Sequence, residues 1–140
     1  MTQQHVAQLV IETRGQGLYE FTREVEREVG KSGVETGMLV LFCRHTSCSL
    51  TIQENADPDV QRDLVSFFSR LVPENLDYFV HTLEGPDDMP AHVKAALTQV
   101  SLSIPIIDGK TVLGTWQGIY LFEHRRRPHR RQIVINVTGE

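Results

Sequence analysis

An α+β domain built on a mostly antiparallel sheet is the fold class this sequence predicts. Three observations carry that reading. Strand-like segments open and close the chain while helical periodicities gather in the middle, Asp108-Gly109 sits between two apolar runs as in tight hairpins, and the regular strand–helix alternation of a doubly wound sheet is missing. The length of 140 residues suits a single domain, residues 1–140, with one core. Apolar residues at 40% and charged residues at 23% favour folding over disorder.

The elements follow in order. Residues 5–13 alternate Val6, Leu9 and Ile11 loosely with polar residues and stop at Gly15 and Gly17, an opening strand and a turn. Phe21, Val25 and Val29 then recur at helical spacing among Glu and Arg, closed by Gly30 and Gly33. Residues 38–44 read as a buried strand and residues 49–53 as its continuation or hairpin partner. Asp57-Pro58 starts a helix with an apolar stripe of Val60, Leu64, Phe67, Phe68 and Leu71, and Pro73 stops it. A short helix follows Pro90, with Val93, Ala96, Leu97 and Val100 on one face. Residues 101–107 and 111–113 flank the Asp108-Gly109 turn, and residues 117–123 and 132–138 give two further strands.

Composition narrows function. No apolar run approaches the ~20 residues that cross a bilayer, and the N-terminus lacks the basic start and apolar stretch of a signal peptide, so a soluble cytoplasmic protein without a membrane partner is expected. A net charge of -4 argues against a general nucleic-acid binder. Cys43 and Cys48 match neither a zinc knuckle nor a redox C-x-x-C and read as packing residues, with a cross-strand disulfide as the alternative.

Two clusters carry candidate chemistry. Glu54, Asp57, Asp59 and Asp63 fall within ten residues, relieved by Arg62. Asp57 can cap its helix and Asp59 can sit on the helix dipole. Asp59 and Asp63, four apart, repel, so the cluster reads either as a solvated acidic face or as one offset by a cation: a metal, an amine substrate or a partner's arginine. In HTLEGPDDMPAH, Asp88 and His92 are also four apart at a helix start and His81 arrives from the preceding segment, a donor set suited to zinc or another divalent metal. Elsewhere, Trp116 is bracketed by Gly114 and Gly118 and reads as a core indole or as one that stacks on a planar ring. HRRRPHRR, residues 124–131, carries +5, so the rest of the chain carries -9. That run reads as a solvated loop, as a binder of phosphate, pyrophosphate or a neighbour's acids, or, against the absence of interleaved aromatics, as an RNA contact.

The segments RHTSCSLTIQENADPDVQRD, HTLEGPDDMPAHVKAAL and SLSIPIIDGKTVLGTWQGIYLFEH resemble the YjbQ-like family, also described as secondary thiamine-phosphate synthases. The resemblance implies a sheet folded over as a sandwich with about three helices outside, and a homotrimer. It also implies a weak thiamine-phosphate synthase-type transferase that joins a pyrimidine diphosphate to a thiazole phosphate. The family's polar signature falls on His45, Thr46, Ser47, Glu54, Asn55, Asp57, Asp59 and Asp63, then on His81, Asp88 and His92, then on Trp116, Gln117 and Glu123. On this reading His45, Glu54, Asp57 and Asp63 are catalytic; Thr46, Ser47, Asn55, Trp116 and Gln117 bind a small phosphorylated substrate; and His45, His81, Asp88 and His92 hold a divalent Mg or Zn ion. A metal-dependent hydrolase of a small phosphorylated compound and a non-catalytic trimeric binding module are the alternatives. The resemblance implies that His45, His81 and His92 converge.

Overall fold

A computed structural model describes residues 1–140 and has two antiparallel sheets. The first sheet is assembled from β1 (Gln3–Thr13), β8 (His129–Gly139), β3 (Gly37–Cys43), β5 (Ser101–Ile107) and β6 (Lys110–Thr111), side by side in that order. The second runs β2 (Gly17–Glu20), β7 (Gln117–Glu123), β4 (Cys48–Glu54). Three helices, α1 (Thr22–Ser32), α2 (Pro58–Leu71) and α3 (Asp88–Leu97), complete the α+β fold. No helix is long and apolar enough to cross a membrane.

Alternation on the strands builds the core. Leu39 and Leu41 of β3, Leu102, Ile104 and Ile106 of β5, and Ile133, Ile135 and Val137 of β8 point inward, and Leu50, Ile119 and Leu121 of the small sheet meet them. Val25 and Val29 bring α1 onto the same core, and Gly33, in the left-handed conformation with φ 70°, ends that helix. Asp108 and Gly109 both take positive φ, as the two-residue turn between β5 and β6 requires.

The structure departs from the expected elements in four places. β4 neither continues β3 nor forms a hairpin with it, but crosses to the second sheet, where it pairs with β7. Gly17 opens the short strand β2, which pairs with the end of β7; four residues are too few to show a periodicity. The run through β3 is buried on one face only. Met38, Val40 and Phe42 lie exposed on the outer face, with Val6 and Val10 of β1 across the intervening β8 and Ile107 at the end of β5. The apolar stripe of α2 is covered in part: Phe68 packs edge-on against Phe122, with centroids 5.4 Å apart, while Phe67 and Leu71 face solvent.

The closure of the large sheet depends on Gly37, where β3 meets β8. A Cβ there would run into the Thr138 carbonyl and the Gly139 backbone, and neither can yield without breaking the ladder. Gly37→Ala is therefore expected to lower unfolding stability by about 1–3 kcal/mol, the usual cost of overpacking, read as a fall in midpoint in urea at unchanged slope.

Candidate functional site

The site is built from the end of β7 inward. Glu123 is fully buried between the sheets, where Arg131 of β8 grips its carboxylate through Nε, at 2.7 Å, and through a second, shorter contact. The Thr13 hydroxyl also donates to Glu123 Oε1 at 2.7 Å, and Arg131 reaches the Ser47 hydroxyl at 3.0 Å. A buried ion pair of this kind is tolerated when it is well matched, and here both Glu123 oxygens and the Nε and Nη2 of Arg131 have partners. Burial pulls Arg131 toward its neutral form, but the bond to Glu123 outweighs it and holds the guanidinium above its ordinary range.

Two residues on, Arg125 leaves the strand toward the start of α3. Its Nη1 donates to Asp88 Oδ1 at 2.7 Å, its Nε to Asp87 Oδ2 at 3.0 Å and its Nη2 to the Glu84 carbonyl at 3.0 Å. Asp88 has 2% of its side chain exposed, yet its carboxyl is held below the usual range. Burial raises it, and the hydrogen bond from His81 and the charge of Arg125 overcome that burial.

The other oxygen of Asp88 faces two imidazoles. His81 Nε2 lies 2.7 Å and His92 Nε2 3.1 Å from Asp88 Oδ2. Asp88 and His92 share a face of α3 one turn apart, and Nδ1 of His92 lies 3.0 Å from the Thr46 carbonyl in the β3–β4 loop. One ligand atom from each of His81, Asp88 and His92 lies within 4.8 Å of the others, a spacing that fits a divalent ion bound by two nitrogens and an oxygen.

His45 does not join this group. Its Nε2 accepts the Gln132 backbone N–H at 2.8 Å, which removes that nitrogen as a ligand, although the ring lines a cavity with His92. Burial, aided by the charge of Arg131, pushes His45 down. The acidic cluster of α2 also stays apart. Glu54 accepts the Asp57 N–H, Asp57 caps the helix by accepting from Asp59 N, Asp59 pairs loosely with Arg62 at 3.4 Å, and Asp63 is exposed. Its charges are those of a helix start and a solvated face. Ser47 is committed to Arg131, and Thr46 contributes its backbone carbonyl. Asn55 bonds to Glu20 at 3.2 Å, and Gln117 closes a turn by accepting from Gly114 N at 2.7 Å. Trp116 is 63% exposed, neither a core residue nor part of the histidine group.

The sequence reading passed over two residues that matter here. Arg125 lay hidden in a run of like charges, whereas only Arg127 of that run's arginines lacks a carboxylate partner: Arg126 pairs with Glu74 and Arg130 with Glu12. His124 is buried beneath α3 with Nε2 2.9 Å from the Ser49 hydroxyl and Nδ1 unpartnered. Cys43 and Cys48 are free thiols with sulfurs 3.4 Å apart, and the bond to Cys43, together with burial, pushes the Cys48 thiol up.

Comparison with known proteins gives a consistent picture. A family model described as "UPF0047 protein YjbQ-like" matches residues 7–140. The UPF0047 protein sll1880 of Synechocystis is 53% identical over 98% of this chain and 93% of its own length, and the UPF0047 protein YjbQ of Escherichia coli O157:H7 is 41% identical over 94% and 96%. Among solved structures, an uncharacterised YjbQ/UPF0047 protein of Clostridium acetobutylicum superposes with a TM-score of 0.85 at 39% identity, covering 94% of this chain and 98% of that one. A protein of unknown function from Sulfolobus solfataricus shares the fold with a TM-score of 0.90 over 100% of both chains, at 24% identity. These proteins are uncharacterised, and nothing in them supports thiamine-phosphate synthase activity, so that expectation is withdrawn.

The buried histidine gives this region a pH dependence. Burial, with the charges of Lys94 and Arg131 adding to it, pushes His124 down to about 3 from an ordinary 6.5. Between those values the unfolded chain binds a proton that the native chain does not, so stability should fall as pH drops from 6.5 toward 3, by up to about 1.4 kcal/mol per unit. Asp87 and Asp88, held below 3.8, add loss in the same direction at the acid end. Urea titrations across this range should show the slope in the native protein and a shallower one in His124→Gln.

Proposed function

The chain belongs to the YjbQ-like UPF0047 family, and from its geometry we propose that it binds a divalent transition-metal ion, zinc foremost, through His81, Asp88 and His92. Donor counting at His92 carries the reading. The Thr46 carbonyl has no proton, so the imidazole must donate to it from Nδ1. A neutral ring then turns a bare Nε2 toward Asp88 Oδ2, at 3.1 Å, where an ionised carboxylate has only lone pairs to offer. A proton or a metal ion relieves that opposition, and the ion also takes His81 once its Nε2 gives up the proton it otherwise donates to the same oxygen.

The surroundings support the same choice. A histidine whose second nitrogen is held by a backbone carbonyl is oriented as a ligand, and Arg125 holds Asp88 by its other oxygen. Two imidazoles suit zinc better than magnesium, which prefers oxygen. Three protein ligands leave room for a further group, and a bound ion there supplies Lewis-acid polarisation to water or to an anionic oxygen of a small substrate. The two unbridged thiols fit a reducing, cytoplasmic setting.

The exposed outer face of the large sheet favours assembly, and we propose the homotrimer as its form. Met38, Val40 and Phe42 of β3 are exposed there together, with Val6 and Val10 across β8 and Ile107 at the end of β5, more outward apolar side chain than a solvated face needs.

Two measurements check these proposals. Equilibrium dialysis with metal analysis should find about one zinc per chain, and His92→Ala or Asp88→Ala should weaken binding by more than the 10–100-fold typical of losing an outer-shell partner. Asp63→Asn should bind as the native chain does. Light scattering should give about three times 15.9 kDa for the native protein, and Val40→Glu with Phe42→Glu should give the single-chain mass with unchanged circular dichroism.

A further inference from the structure

We infer that Cys43 and Cys48 are a reversible oxidation site: a hydroperoxide joins them in a disulfide, and that bridge loosens the hold of the β3–β4 loop on His92. The expected effect on zinc rests on the metal reading above. The two thiols are free and buried, at the end of β3 and the start of β4, with their sulfurs 3.4 Å apart. Those strands belong to different sheets, so no ladder of hydrogen bonds joins them at this point. Cys48, although 1% exposed, lines a cavity of about 280 Å³ shared with His45 and His92, wide enough for a small hydroperoxide to reach its sulfur.

The chemistry proceeds in two displacements. The Cys48 sulfur, the one on the cavity wall, attacks hydrogen peroxide; the O–O bond breaks, one oxygen stays as a sulfenic acid and the other leaves as water with the thiol proton. The Cys43 sulfur then attacks that of Cys48, the S–O bond breaks, and the oxygen leaves as a second water with the Cys43 proton. The thiol pair gives up two electrons and the peroxide takes them. Burial holds the Cys48 thiol protonated, so the first displacement is slow and the reduced pair is the resting state. The loop between the two cysteines gives the bridge its consequence. His45 Nε2 accepts the Gln132 N–H at 2.8 Å, the Thr46 carbonyl lies 3.0 Å from His92 Nδ1, and Arg131 donates to the Ser47 hydroxyl at 3.0 Å. Bridging closes a small ring over this loop, shortens its span and draws the Thr46 carbonyl off His92, which loses the partner that orients it as a ligand.

The test uses the full metal-free chain, reduced and then exposed to a small excess of hydrogen peroxide. Mass spectrometry is expected to show the loss of two hydrogens and a bridge within one chain, reversed by dithiothreitol. Equilibrium dialysis should find zinc bound about 10–100-fold more weakly by the oxidised chain, the usual effect of losing an outer-shell partner, with full recovery on reduction. The double variant Cys43→Ala, Cys48→Ala should keep its zinc affinity through the same treatment. An oxidised product without the bridge, a bridge between chains, a bridged chain that binds zinc as the reduced one does, or an equal loss of affinity in the double variant would each overturn the inference and leave the metal reading standing. A reduced chain that takes up no zinc would remove the metal reading alone. The His92 Nδ1–H resonance, followed by nitrogen-15 NMR in the metal-free chain, then decides: it should move as the bridge forms, and an unmoved resonance would overturn the inference.

Discussion

The Asp88 carboxylate is the constraint on which the site depends. It is almost wholly buried, it is charged, and it has one oxygen on the Arg125 guanidinium and the other on two imidazoles. A buried charge is tolerated only when it is matched and hydrogen-bonded. The partner for the first oxygen comes from just past the end of β7. The second oxygen meets His92 from its own helix and His81 from the segment before it. Three separated stretches of chain are thus tied at one atom pair, and the start of α3 is fixed to the small sheet.

Behind it lies a second buried pair, Glu123 with Arg131, which joins β7 of one sheet to β8 of the other and takes in Thr13 and Ser47. Glu123 also accepts the Arg125 backbone N–H at 3.1 Å, so the two carboxylates lie in one connected network. The polar chain runs from the centre of the sandwich to the imidazoles at the surface. Replacing Glu123 would leave Arg131 uncompensated in the interior, whereas Arg125 would keep Asp87 if Asp88 were replaced. The arginine run is best understood in these terms: most of its charges face carboxylates of the same chain, which leaves little of its +5 to attract a nucleic acid or a neighbour.

Much of this was legible in the sequence, and the reasons differ by element. Period-two alternation and the Asp108-Gly109 turn mark the strands because side chains alternate whatever else the chain does, and Asp57-Pro58 marks α2 because a cap is a local device. The i, i+4 spacing of Asp88 and His92 put two members of the ligand group on one helix face, and His81 stands in the same short segment just before that helix. The position of His45 was not legible. What removes it from the group is a single backbone N–H, that of Gln132, eighty-seven residues away in sequence and adjacent only through strand pairing. The same holds for Arg125, whose importance is a matter of which carboxylate it meets, and for the outer face of β3, where a continuous apolar run looks the same whether one face or both are covered.

Zinc K-edge X-ray absorption on the metal-loaded full chain addresses the ligand group itself. The predicted first shell holds two imidazole nitrogens at about 2.0–2.1 Å and a carboxylate oxygen at about 2.0–2.2 Å, with the outer-shell scattering of two rings. A shell containing sulfur at about 2.3 Å, which Cys43 and Cys48 would supply, or one made of oxygen alone, would contradict the assignment to His81, Asp88 and His92.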